Sequence, residues 1–132
     1  MARETEGLEL DRDRLRRGVE AVLEDRTKGF YWVAEIDNRV VGQTLVTQEW
    51  SDWRNGAFWW IQSVYVEPES RGSGVFRALY EHVDREARAH PGVCGLRLYV
   101  EQENHKAQNA YERLGMKRTP YWIYEVDFVL GR

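Results

Sequence analysis

The run Val64-Tyr65-Val66-Glu67-Pro68-Glu69-Ser70-Arg71-Gly72-Ser73-Gly74-Val75-Phe76 confines this chain more than any other stretch. An apolar strand there must turn through a glycine-rich loop directly into a helix. A helix N-terminus carries unpaired backbone N–H groups and roughly half a positive charge, so it attracts anions where neighbouring side chains leave room. Gly72, Ser73 and Gly74 leave that room, and Arg71 and Arg77 flank them with positive charge. By itself such a segment also serves as a plain strand-to-helix turn.

A second segment follows about thirty residues later: Asn104-His105-Lys106-Ala107-Gln108-Asn109-Ala110-Tyr111-Glu112-Arg113-Leu114-Gly115-Met116. Asn104 suits an N-cap, and Ala107, Ala110, Tyr111 and Leu114 share one helical face. Gly115 suits the left-handed residue that ends a helix. A strand, an Arg-x-x-Gly loop opening a helix, and then Asn-x-x-Ala-x-x-x-Tyr-x-x-x-Gly-Met together resemble the GNAT superfamily of N-acetyltransferases. The resemblance covers residues 30–129 and is sharpest over residues 61–116.

The resemblance implies an α/β (α+β) fold with a central mixed, mostly antiparallel sheet, splayed parallel strands and flanking helices. It also implies acetyl-coenzyme A as cosubstrate. The loop from Arg71 through Gly72, Ser73, Gly74, Val75 and Phe76 to Arg77 would hold the pyrophosphate. The backbone of Val64 and Val66 would bond the pantetheine arm, and the second helix would supply Asn104 and Tyr111. Lys106 would add charge near the nucleotide end. The chain departs from the family at Phe76, where Gly or Ala is usual, and in lacking a pattern for the family's first strand. An uncovered sheet edge invites pairing with another chain, so a homodimer is one expected assembly.

Read from composition, 132 residues with 42% apolar and 31% charged content suit one domain spanning 1–132. No apolar run is long enough to span a bilayer, and the charged first residues lack a secretory core. With a lone cysteine, Cys94, these features point to the cytoplasm. A net charge of −3 with interspersed signs gives no basic field for nucleic acid. Arg12, Arg14, Arg16 and Arg17 sit among acids and read as a solvated helix face. His82, His90, His105 and Cys94 show no metal-ligand spacing. No Lys-Ser or Lys-Thr follows Gly74 and no Gly-x-Gly-x-x-Gly occurs, which excludes the common nucleotide loops.

Periodicity predicts a helix over residues 11–24 with Leu15, Val19, Val22 and Leu23 buried. It predicts strands over 30–36 and 40–48 joined by a turn at 37–39, and a strand over 58–66. A helix opening at Gly74 should bury Val75, Ala78, Leu79, His82 or Val83, and Ala87. A strand over 96–100 should run parallel to 58–66. A helix over 104–114 follows, then a final alternating strand over 122–130.

Acetyl transfer to an amine needs an oxyanion donor, a proton donor for the thiolate and a base. A backbone N–H at residues 64–66 would serve the oxyanion. Tyr111, protonated at neutral pH, is the proton donor that the resemblance implies, with packing in the helix face as its alternative role. Glu49 is the first choice of base, ahead of Asp52 and Glu67, because Gln62 stands where the family often carries a carboxylate. Trp50, Asp52, Trp53 and Gln62 are the candidate acceptor contacts, through cation–π and charge interactions with a small amine; the tryptophans otherwise cap the core. Alternation sends Phe58 and Trp60 to one sheet face and Trp59 to the other. With Cys94 poorly placed and Ser73 in the loop, no covalent nucleophile presents itself, which favours direct transfer. A non-catalytic acyl-CoA-binding module is the rival reading, motivated by Gln62 and the absent first strand.

Overall fold

The computed structural model describes residues 11–131. They fall into two compact units, one ending at Glu101 and one beginning at Gln102, and each is described by itself. The expectation of a missing first strand falls on residues 1–10, outside the described residues.

The first unit begins with helix α1, Arg12–Glu24. Asp11 caps it, its Oδ1 accepting from the backbone N–H groups of Asp13 at 3.0 Å and Arg14 at 3.2 Å. Those two bonds hold the Asp11 carboxyl below its ordinary range. Arg16 and Arg17 pair with Asp13 in the first turn, and the arginines form the solvated face that the sequence suggests. The expected apolar stripe is only half right. Val19 and Val22 are half-buried, whereas Leu15 and Leu23 are exposed. Among the described residues α1 adjoins the sheet at strand β1, so side chains off that one line of contact stay in water.

Strands β1, Phe30–Ile36, and β2, Arg39–Ser51, form a hairpin closed by the pair Ile36↔Arg39. Asp37 and Asn38 have φ of 52° and 64°, the left-handed pair that matches a two-residue turn to strand twist. Strand β3, Gly56–Val66, returns antiparallel to β2 after a 3-10 turn at Asp52–Arg54. Helix α2, Val75–Ala89, crosses over to strand β4, Val93–Leu98, which lies parallel to β3. The sheet order is β1-β2-β3-β4.

Strand β4 starts three residues before the expected 96–100 and stops two earlier. It engages as soon as the chain leaves the turn at Gly92, whose carbonyl accepts from Ala57 N–H at 2.9 Å. It ends at Ile61↔Leu98, because the next residue of β3, Gln62, bulges out of the ladder.

The core lies between the sheet and α2. Val75, Leu79, Val83 and Ala87 form the buried stripe of α2. Ala78, expected to join them, is exposed because burial follows the four-residue spacing and leaves its side of the helix uncovered. Val46, Trp59 and Ile61 pack with Val83 and Ala87, and Val41 packs with Val75 and Leu79. Phe30, Trp32 and Trp59 meet with ring centroids 5.0 to 5.7 Å apart, and His82 stands edge-on to Trp32 at 4.8 Å. A Cβ on Gly42 would sit 2.9 Å from Val75 Cγ1 and 3.1 Å from the Tyr65 carbonyl oxygen. Glycine there lets the start of α2 close on β2.

In the second unit, helix α3 spans His105–Arg113. Asn104 Oδ1 accepts from Ala107 N–H at 3.1 Å. Gly115, at φ +99°, ends the helix: its N–H donates to the Glu112 carbonyl and that of Met116 to the Tyr111 carbonyl. This is the two-bond termination that glycine at that position permits. Ala107, Ala110, Tyr111 and Leu114 are half-buried, as the periodicity predicts.

The final strand expected over 122–130 is not formed: these residues carry no strand pairing. Alternation specifies which faces a strand would present but supplies no neighbour to bond, and a lone strand leaves every N–H and C=O to water.

At the end of α1, the Asp25 carboxylate accepts from the Thr27 hydroxyl at 2.6 Å, from Lys28 Nζ at 3.0 Å and from Thr27 N–H at 3.0 Å. The Thr27 hydroxyl and then Lys28 are the main causes that lower its pKa from 3.8 to about 2. The folded pKa lies below the unfolded one, so the turn's contribution to stability is complete above pH 3.8 and is lost as pH falls toward 2. Carboxyl-carbon NMR should give a midpoint near that value for Asp25, and Asp25→Asn should remove this part of the acid dependence of unfolding.

Candidate functional site

Among the described residues the C-terminal half of β3 has a strand neighbour on one side only. Beyond Ile61↔Leu98 strand β4 no longer accompanies it, while β2 continues alongside through Thr44↔Val64 and Gly42↔Val66. An antiparallel strand bonds its neighbour at every second residue, so the vacated side retains backbone donors and acceptors. Val64 and Val66 lie in this stretch. Thr44, fully buried, donates its hydroxyl to the Ser63 carbonyl at 2.8 Å and firms the strand just past the bulge.

From Val66 the chain makes a 3-10 turn, Pro68–Ser70, and enters the loop 71–74. Glu67 anchors the turn: its N–H donates to the Val41 carbonyl at 2.9 Å, and its carboxylate accepts from Arg39 and from the Ser70 hydroxyl. That carboxylate is thereby committed to holding the strand end. Arg71 Nε donates to the Val66 carbonyl at 2.9 Å, with its guanidinium 5.7 Å from the Tyr65 ring centroid. Ser73 donates its hydroxyl to the Ser70 carbonyl.

Gly72 and Gly74 have φ of +83° and +88°, and a Cβ on either would meet nothing within 4 Å. The glycines are therefore required by backbone conformation, and the space over them is open. Gly74 is the N-cap of α2 and no side chain caps that helix end. Residues 71–74 are all exposed, so an uncapped helix N-terminus faces solvent beside small residues, with Val75 buried and Phe76 half-buried behind it. This arrangement fits a phosphate or pyrophosphate group. Arg77 pairs with Glu81 at 2.7 Å on the exposed face of α2, one turn from the loop.

The sheet face turned away from α2 carries the aromatic and charged candidates. Trp59 lies in the core, while Trp60 packs on Tyr99 with centroids 4.5 Å apart and Phe58 faces the same way as Trp60, as alternation predicts. Glu49, opposite Phe58 on β2, accepts from Arg97 Nη1 at 2.6 Å. The Arg97 guanidinium also lies 3.7 Å from the Phe58 ring centroid, and Arg54 approaches the same ring at 4.8 Å. Gln62, on the bulge, donates Nε2 to the Thr47 hydroxyl at 2.8 Å. Trp50 and Trp53 do not cap the core: they are 64% and 85% exposed. Asp52 accepts from the Trp53 N–H at 2.9 Å.

In the second unit Asn104 spends its side-chain oxygen on the cap of α3, and Tyr111 lies on the half-buried face of that helix. Lys106 is exposed in its first turn.

Sequence reasoning missed Arg97, Tyr99 and the bulge. Arg97 was findable as the one charge in the apolar run 93–100. The bulge was not, because Gln62 and Ser63 differ in no local preference from ordinary strand residues. Among the described residues no helix is long and apolar enough to cross a membrane.

Comparison with known proteins agrees with this geometry. A possible acetyltransferase from Clostridium difficile 630 is 47% identical, with a TM-score of 0.91 over 97% of this chain and 84% of that one. A mycothiol acetyltransferase from Kocuria rhizophila is 34% identical over 112 residues, which cover 79% of this chain and 29% of that protein. The chain thus spans under a third of the length of that curated relative. The aminoglycoside N-acetyltransferase AAC(6')-Iy, solved in complex with CoA, shares the fold at 20% identity and a TM-score of 0.66, covering 88% of this chain and 87% of that one. The model of the acetyltransferase (GNAT) family matches residues 2–116. With the splayed parallel strands, the glycine loop and the helix it opens all inside that match, the chain belongs to the GNAT family of acetyltransferases.

Proposed function

We propose that the chain is a single acetyltransferase domain that moves an acetyl group from acetyl-CoA directly to a primary amine, on a small molecule or a protein. The uncapped N-terminus of α2 behind Gly72 and Gly74 carries this reading. It offers an open backbone site of the polarity that a pyrophosphate needs. The family match supports acyl-CoA chemistry, and the related fold of AAC(6')-Iy holds CoA.

Acetyl-CoA, when bound, supplies the acetyl group activated as a thioester. The chain's own residues bind, orient and move protons. N–H groups of residues 72–77 hold the pyrophosphate, with Arg71 adding charge. The backbone of Val64 and Val66, on the side that β4 vacates, holds the pantetheine and supplies a donor to the developing oxyanion. Tyr111 gives its phenolic proton to the departing sulfur, and Asn104 orients the start of its helix.

Glu49 takes the proton that the amine loses, directly or through a water. Its lone pairs are engaged by Arg97, so a cationic amine reaching Glu49 competes with that guanidinium for the same carboxylate. Trp50, Trp53, Asp52 and Gln62 line the approach, and the exposed indoles suit a cation with an apolar body, such as a polyamine.

The Glu49–Arg97 pair also favours a second reading, an acyl-CoA-binding module whose base is locked away. Calorimetry with acetyl-CoA, followed by thiol release against a panel of amines, separates the two. Turnover establishes the transferase, whereas binding with no turnover on any amine selects the module.

Gly74→Ala places alanine in the left-handed region at about 1–2 kcal/mol, a cost that the unliganded loop escapes by leaving the binding conformation and that the bound loop must meet. Calorimetry should therefore show acetyl-CoA affinity lowered roughly five- to thirtyfold with the circular dichroism spectrum retained. Tyr111→Phe should lower kcat by about tenfold or more and leave the acetyl-CoA Kd within error; unchanged kcat would reduce Tyr111 to packing. Glu49→Gln should lower kcat by about a hundredfold and leave the acetyl-CoA Kd within error, while a purely structural Glu49 would leave kcat unmoved.

A further inference from the structure

Phe58 and Gly95 build a platform on the sheet face turned away from α2. They are partners across the parallel ladder of β3 and β4, and a Cβ on Gly95 would lie 2.7 Å from Phe58 Cε1. Glycine at that position is what lets the ring rest against β4. The ring is buried, and two guanidinium groups are held at it. That of Arg97, two residues past Gly95 and so on the same face of β4, lies 3.7 Å from the ring centroid. That of Arg54, from the turn between β2 and β3, lies 4.8 Å away. Attraction to the ring holds Arg97 in place whatever its carboxylate partner is.

One carboxylate and two guanidinium groups thus form the cluster. Glu49 Oε1 and Arg97 Nη1 stand 2.6 Å apart. Arg54 Nη1 donates to the neutral Ser51 hydroxyl at 3.3 Å, and among the described residues no carboxylate pairs with it. The cluster therefore carries one positive charge more than its pairing uses. An acceptor that is a cation alone worsens that balance, because its ammonium takes Glu49 and leaves two guanidinium groups at one ring without an anion. An acceptor that brings its own carboxylate restores it.

The geometry points to a free α-amino acid as the acceptor: its ammonium replaces Arg97 on Glu49, its carboxylate replaces Glu49 on Arg97, and Arg54 adds a second donor to that carboxylate. One ion pair is exchanged for two, and the planar guanidinium of Arg97 suits a carboxylate in a two-bond fork. The inference rests on the transferase reading above and narrows its amine. Because the heads of Glu49 and Arg97 touch, the two charges that replace them must also be close, and an α-amino acid carries both on one carbon. A polyamine has no carboxylate, and in a lysine side chain or a protein N-terminus the neighbouring carboxyl is an amide. Trp60, two residues past Phe58 on the same face and packed on Tyr99 at 4.5 Å, offers an aromatic wall to an apolar or aromatic side chain.

The test measures thiol release from acetyl-CoA with L-leucine, L-phenylalanine, their carboxamides and spermidine, and in parallel titrates L-phenylalanine into the CoA-loaded protein by calorimetry. The amino acids should exceed their carboxamides in kcat/KM by about ten- to hundredfold, the difference residing in KM. Arg97→Met should bring that ratio close to one, and Arg97→Lys, which keeps the charge without the fork, should recover part of it. Arg54→Met should lower the ratio by about two- to fivefold. Where Arg97→Met loses its fold by circular dichroism, Arg97→Lys and Arg54→Met decide. Carboxamides or spermidine used as well as the amino acids, or a preference unmoved in the folded variants, would leave the transferase standing and overturn the amino-acid assignment. No turnover on any amine, with L-phenylalanine binding that the arginine variants weaken, would overturn the transferase and keep the amino-acid site. Neither turnover nor L-phenylalanine binding would overturn both.

Discussion

The parallel ladder between β3 and β4 stops after Ile61↔Leu98, and the architecture of the candidate site follows from that stop. A single extra residue, Gln62, shifts the phase of β3 against β2 and carries the strand on with one partner instead of two. Before the bulge Trp59 and Ile61 face α2. After it Val64 packs against both core clusters, so the same strand anchors the core and then presents an edge of backbone with no strand partner among the described residues. The loss of ladder bonds on that side is tolerable because the exposed groups can reach water. The same groups are what a ligand needs to bond.

Electrostatics on the far face of the sheet is dominated by one arrangement. Arg97 lies on the Phe58 ring and reaches Glu49 across strand β3, so a strand that is otherwise apolar contributes a cation to a carboxylate selected from sequence as a base. Both side chains are a third to a half exposed, which makes the pair a weak contributor to stability, about 0–1 kcal/mol. A pair that loose can be exchanged for a substrate ammonium at little cost, whereas a buried pair could not.

Much of this was legible in the chain itself, and the reasons differ by element. The β1–β2 hairpin was readable because Asp37-Asn38 is among the few dipeptides that accept two left-handed residues in succession. Helix α3 and its termination were readable because Asn104 and Gly115 have narrow roles at helix ends. The glycine loop was readable for the same reason. Ala78, Leu15 and Leu23 were misjudged because apolar periodicity marks a face without saying how far a neighbour covers it. The early start of β4 was hidden by Cys94 and Gly95, which favour strands little; its partner Ala57–Ile61 decides the matter. Residues 122–130 carry a clear strand pattern, yet pairing depends on an edge that no local pattern can supply.

The loops joining β1 to β2 and β2 to β3 are short, at residues 37–38 and 52–55, while β3 reaches β4 only after residues 67–92. Closing short loops costs little chain entropy, so the three-strand meander can assemble from contacts near in sequence. Strand β4 must wait for α2 to fold and dock. The parting of β3 and β4 is therefore a late-formed feature of the folding chain, and α2, with the glycine loop at its head, completes the core and the candidate pyrophosphate site in one step.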